Sequence, residues 1–201
     1  MLRRYTFVIL ALSSWMVAPF VMLAQRPDRA LVEALANVYQ LRSYTAFDWV
    51  SAAYDRGTLT LQGFVRTAQL KEEAEAAARK APAVDEIDNQ LQVLPAHRGD
   101  DDVRLGAYIA IYGSSALEQY APGGQLSGLA ISELRDTARF GLEGTEVGRG
   151  PHSIHIIVNG GRVLLRGEVR TRGDRQIAEA TIRTLPGVLG VVNELRVAAP
   201  Q

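Results

Sequence analysis

The sequence predicts an α+β protein: two tandem small domains of order αββαβ, each with two helices packed on a three-stranded mixed sheet, after an N-terminal signal segment. Three observations predict it. A block of the chain recurs without a gap at a shift of 104, so that Gly57 returns as Gly161. Within each copy the apolar spacing changes from period two to helical and back. Glycine, threonine and proline fall at matching positions between these segments.

The repeat covers residues 57–93 and 161–197. Gly57, Leu61, Gly63, Val65, Arg66 and Thr67 recur as Gly161, Leu165, Gly167, Val169, Arg170 and Thr171. Ala74, Glu75, Ala76 and Arg79 recur as Ala178, Glu179, Ala180 and Arg183. Pro82, Val84, Asn89, Leu91 and Val93 recur as Pro186, Val188, Asn193, Leu195 and Val197. A duplicated domain accounts for this.

Each copy opens with a helix. Leu31, Leu35 and Val38 form a helical stripe in the first; Leu105, Tyr108, Ile109 and Tyr112 form one in the second. A hairpin follows, with DRG and NGG supplying tight turns in which Gly57 and Gly161 take positive φ. Leu59, Leu61 and Val65, or Val163, Leu165 and Val169, alternate with polar residues as a half-buried strand does. Gly63 and Gly167 fall in the inward phase, where a side chain meets the covering helix or a bulge sits. Thr67 and Thr171 read as helix N-caps, the latter in a capping box with Asp174.

The second helix presents Leu70, Ala74, Ala77, Ala78 and Ala81, matched by Ala178, Thr181, Ile182 and Leu185, before Pro82 or Pro186. The last strand turns Ile87, Leu91 and Val93, or Val191, Leu195 and Val197, inward. Asn89 and Asn193 share that phase, and a buried amide there must tie down the neighbouring helix–strand turn.

Before the repeat, Met1-Leu2-Arg3-Arg4 precedes an uncharged apolar run over residues 6–24. This reads as a signal peptide over residues 1–24, or as an uncleaved anchor. Either places the remainder, residues 29–95 and 100–198, in the periplasm or cell envelope. With no cysteine the chain is not a lipoprotein and has neither disulfides nor a thiolate site. Removing residues 1–24 leaves 20 basic and 22 acidic side chains, which excludes a nucleic-acid balance. Residues 151–201 carry seven arginines against four acids, the one basic stretch of that remainder.

NGGRVLLRGEV, the closing LPGVLGVVNELRV and the hairpin approach PHSIHIIVNGGRV together resemble the BON domain, and the resemblance extends over both copies. It implies a non-catalytic cell-envelope module, often in tandem, that binds phospholipid surfaces and protects the envelope under stress. The copies differ in one respect. Val38-Tyr39 matches Ile111-Tyr112 at a shift of 73, so copy two has 31 extra residues before its first strand. They lie mainly at residues 122–150, where seven glycines occur. Such a loop is a mobile insertion, or a lid or docking element for a periplasmic protein-interaction or chaperone-like module. Ile131, Leu134, Ala138 and Phe140 space a short amphipathic helix within it.

No catalytic set, metal site or cofactor is expected. His152 and His155 point to opposite faces of a strand, and His97 lies in the linker at residues 95–101. Ser114, Ser115 and Ser153 have no paired base. The best functional lead is the outward phase of the second copy's strand, Arg162, Leu164, Arg166 and Arg170, with Arg172 and Arg175 beside it. Guanidinium groups suit phosphate, which points to an anionic phospholipid surface as partner. Tyr108, Tyr112 and Tyr120 are candidate interfacial anchors, the first two better suited to a core.

Overall fold

The computed structural model describes residues 29–199 apart from 83, 123–125, 127, 138–141, 143–144, 146 and 151. The signal segment, Ala138 and Phe140 lie outside the described residues. Copy one runs α1 (Arg29–Tyr39), β1 (Trp49–Asp55), β2 (Thr58–Val65), α2 (Ala68–Ala78), β3 (Glu86–Asn89) and β4 (Gln92–Val93). Copy two runs α3 (Arg98–Tyr112), α4 (Gly128–Thr137), β5 (Ile154–Asn159), β6 (Arg162–Val169), α5 (Arg172–Arg183), β7 (Gly190–Asn193) and β8 (Arg196–Val197). The molecule is α+β, with two helices on one face of each mixed sheet. β1 and β5 pair antiparallel with β2 and β6, which then pair parallel with β3/β4 and β7/β8.

The expected third strand is broken in both copies, and an asparagine stands at the break. Asn89 Nδ2 donates to the Lys71 carbonyl (3.0 Å) and Glu75 Oε2 (3.2 Å), while its Oδ1 accepts from the Leu91 amide (3.2 Å). Asn193 repeats this with Arg175 (2.8 Å), Glu179 (3.2 Å) and Leu195 (3.2 Å). The Leu91 amide that Asn89 takes faces the open edge of the strand, while the Gln90 and Leu94 amides on either side bond to Leu61 and Val65 in the ladder. The phase slips there: Leu91 and Leu195 are buried, but Val93 and Val197, expected inside, are exposed.

Gly63 and Gly167 also have a different reason from the one expected. A Cβ at either would lie 2.0 Å from a carbonyl of the paired strand, Trp49 or Ser153, and φ is +131° and +123°. The clash is with the neighbouring strand's backbone, not with the helix. Thr67 and Thr171 cap α2 and α5, accepting from Leu70 and Asp174 amides at 3.1 and 3.0 Å, and Asp174 returns a bond to the Thr171 amide (3.1 Å).

Each copy has its own core. Val38, Val50, Leu59, Leu61, Leu70 and Ala74 belong to the first. In α1 the buried residues are Ala30, Ala34 and Val38, with Leu31 and Leu35 packed at the side. In α3 the buried face is Val103, Ala107, Tyr108, Ile111 and Tyr112, rotated from the expected stripe. The buried Arg104 disguised that phase: it donates to Asp101 Oδ1 and to the Val158 carbonyl, both at 2.7 Å.

Tyr112 donates to the Ile154 carbonyl (2.6 Å) as Tyr39 does to Val50 (2.8 Å). The pair of bonds marks the two tyrosines as counterparts and assigns the length difference to residues 113–153. Part of that segment packs: Leu142 and Val147 are buried in the second core, with Leu126 and Leu134 against it. Tyr120 is buried as well, not an anchor at the surface.

The copies share structure. Ala46 and Phe47, from the loop between α1 and β1, are fully buried in the second copy's core. The Ala46 amide donates to Gly148 and its carbonyl accepts from Ile156, both at 2.7 Å. The outer edge of β5 is therefore covered by Tyr112, Ala46 and Arg104 in turn, which removes an exposed pairing edge.

Candidate functional site

The hairpin turn of copy two is held from α3. Asp100, 2% exposed, accepts from the amides of Gly160 (2.9 Å) and Gly161 (2.8 Å). At Gly161 (φ +71°) a Cβ would lie 2.7 Å from the Gly187 carbonyl, so the turn admits no side chain. The Gly161 carbonyl in turn accepts from the Leu189 amide (2.8 Å). This fixes the start of β6 against β7, with Arg162 opposite Gly190 and Leu164 opposite Val192.

The six candidate contact residues do not form one patch. Arg162 is exposed at the turn end of β6, and Leu164 is half-buried beside it. Arg166 is paired with Glu194 at 2.5 Å and half-buried. The Arg170 side chain is exposed, while its amide donates to Tyr120 Oη (2.6 Å). Arg172 and Arg175 are exposed on α5, on the helix-covered side of the sheet, and Arg175 donates to the Asn193 carbonyl (2.9 Å).

Two residues that sequence reasoning passed over complete the arrangement. Leu189 and Val192 are 78% and 56% exposed, the most open large apolar side chains among the described residues of this copy. Val192 pairs with Leu164 across β6–β7, and Leu189, just before β7, lies against Gly161 at the hairpin turn. The signal was legible in the repeat, because the copy-one counterparts of Arg162, Leu164, Leu189 and Val192 are Thr58, Thr60, Asp85 and Asp88. The turn end of this strand pair is polar and acidic in the first copy, apolar and basic in the second.

At the other end of β6 the two copies enclose a cleft of about 640 Å³. Its ring-lined wall joins Tyr39, Tyr44, Trp49 and His155, with centroids 5.2–5.5 Å apart between neighbours. Burial lowers the His155 pKa to about 4 and lowers that of His152 too. Both rings are neutral near pH 7. Among the described residues no group of three or more potential ligands could hold a metal ion, and no helix is long and apolar enough to cross a membrane. His97 is exposed at the start of α3.

No curated protein matches the chain. Two solved structures of CdsD, a structural protein of the type III secretion system of Chlamydia trachomatis, are similar to it at 13% identity. The first, a C-terminal domain, has a TM-score of 0.27 over 87% of this chain and 99% of that one. The second has 0.26 over 83% and 91%. Likeness at that level supports no shared role. The BON domain model matches residues 44–95 and 133–199, one stretch in each copy. BON domains are non-catalytic modules of envelope proteins. With both halves of the repeat matched, and with the repeated sheet, broken at an asparagine, beneath each match, the chain belongs to the BON domain family.

Proposed function

We propose that this protein is a non-catalytic envelope module that rests on anionic phospholipid through its second copy and so supports envelope integrity under stress. The observation that carries the reading is the exchange of Thr58, Thr60, Asp85 and Asp88 for Arg162, Leu164, Leu189 and Val192 at the turn end of otherwise matching strand pairs. Exposed leucine and valine enter the headgroup boundary, and arginine beside them meets phosphate. Each basic residue near an anionic surface contributes roughly 1 kcal/mol. Arg162 supplies the charge beside Leu164 and Val192, while Arg166 is held by Glu194 and Arg170, Arg172 and Arg175 lie away from that face.

Liposome co-sedimentation tests it. The full chain is expected to sediment with vesicles containing phosphatidylglycerol and much less with neutral ones. Leu189→Asp with Val192→Asp, which restores the copy-one residues, is expected to abolish sedimentation. Equal binding to neutral vesicles, or no loss in that double variant, refutes the reading.

A further inference from the structure

We propose that the cleft between the two copies is a second binding site, for a neutral saccharide. It lies at the end of β6 away from the apolar stripe, and both copies build it: Trp49 and Tyr44 from one, Arg166, Glu168 and Glu194 from the other. Its volume of about 640 Å³ is that of a small-molecule site.

The chemistry narrows the ligand. Trp49 Nε1 and Arg166 Nε, which can only donate, are buried without a hydrogen-bond partner among the described residues. A buried donor left unpaired is costly, and a ligand oxygen relieves that cost. The charges at the mouth cancel: Arg166 and Arg196 stand against Glu168 and Glu194, and both histidines are neutral. Nothing there selects an ion. Tyr39, which is exposed, and the half-buried Trp49 give the lining aromatic surface, while Tyr44 and His155 are buried. Buried donors, exposed carboxylate acceptors and aromatic surface in one cleft match a pyranose, whose oxygens accept, whose hydroxyls donate and whose C–H face is apolar.

The copy-one counterparts of His155 and Arg166 are Ser51 and Gln62, so the site arose from the way the copies meet. Ser51 itself lines the cleft, its hydroxyl donating to the Gln62 carbonyl (3.2 Å).

The test follows the Trp49 indole N–H resonance in the intact protein during titration with chitotriose and maltotriose to about 20 mM, above the roughly 1 mM dissociation constant of a weak site. A saturable shift with either saccharide is expected, with none from glycerol phosphate. Glu168→Gln, an exposed change that leaves the core alone, is expected to weaken binding at least about threefold. Trp49→Phe, read by calorimetry, is expected to weaken it about fivefold or more while vesicle sedimentation persists. An indole signal that neither saccharide moves, or that glycerol phosphate moves equally, overturns the proposal. So does undiminished binding in both variants.

Discussion

The hydroxyl of Tyr120 donates to Asp174 Oδ2 at 2.7 Å and accepts the Arg170 amide at 2.6 Å, so a residue from outside the repeat completes the start of α5. In copy one the matching Arg66 amide donates to the Asp48 carboxylate at 2.8 Å. The same backbone donor is satisfied by an acid in one copy and a phenol in the other. The bond contributes to the lowered pKa of Asp174.

Tyr120→Phe should therefore leave a backbone amide unpaired and is expected to destabilise the protein by about 1–3 kcal/mol, read from urea denaturation. No change in the midpoint would mean that water replaces the hydroxyl at no cost.

Phe47 lies in copy one by sequence and in copy two by packing. Phe47→Ala is expected to cost about 3–5 kcal/mol and to raise amide exchange in β5, even though the substitution lies in the other repeat. Faster exchange confined to β1 and β2 would contradict this placement.

The paired glycines divide by surroundings. Gly63→Ala and Gly167→Ala each drive a Cβ into a carbonyl at a positive φ, so each is expected to cost more than about 2 kcal/mol. Gly190→Ala meets nothing within 4 Å and has no positive φ, so its change should stay within about 0.5 kcal/mol. Thermal melts of the three variants check the order.

His155 makes stability depend on pH. Its folded pKa of about 4 lies below the ordinary 6.5, so the unfolded chain binds the proton first. The stability is whole above pH 6.5, falls as the pH drops and is fully lost near 4. About 2 kcal/mol should go between pH 7.5 and 5. His155→Gln should flatten that slope, with Asp48 and His152 unchanged in the comparison. Parallel slopes would rule out His155 as the cause.

How far the residues alone led depends on the kind of interaction. Turn glycines, Thr67, Thr171 and the alanine face of α2 act within a few residues, so their spacing was readable. The break at Asn89 and Asn193 was half readable: the asparagine stood out, but its bonds to the Lys71 or Arg175 carbonyl depend on how close the helix comes. The α3 face was misread because Arg104 is charged and buried, and its acceptor, the Val158 carbonyl, lies far along the chain. Leu189 and Val192 were visible in the repeat as replacements of Asp85 and Asp88, but their exposure is set by how the turn after α5 and the edge strand β7 sit on the sheet.

The sequence by itself determined that one αββαβ unit occurs twice, because local periodicity and turn chemistry repeat at a constant shift. Only the tertiary structure decided that Phe47 fills the other copy's core, that Arg166 is held by Glu194, and that Trp49 and His155 share a cleft. Packing between the copies sets the first and the last, while Arg166 and Glu194 meet within one copy, as Gln62 and Gln90 do in the other.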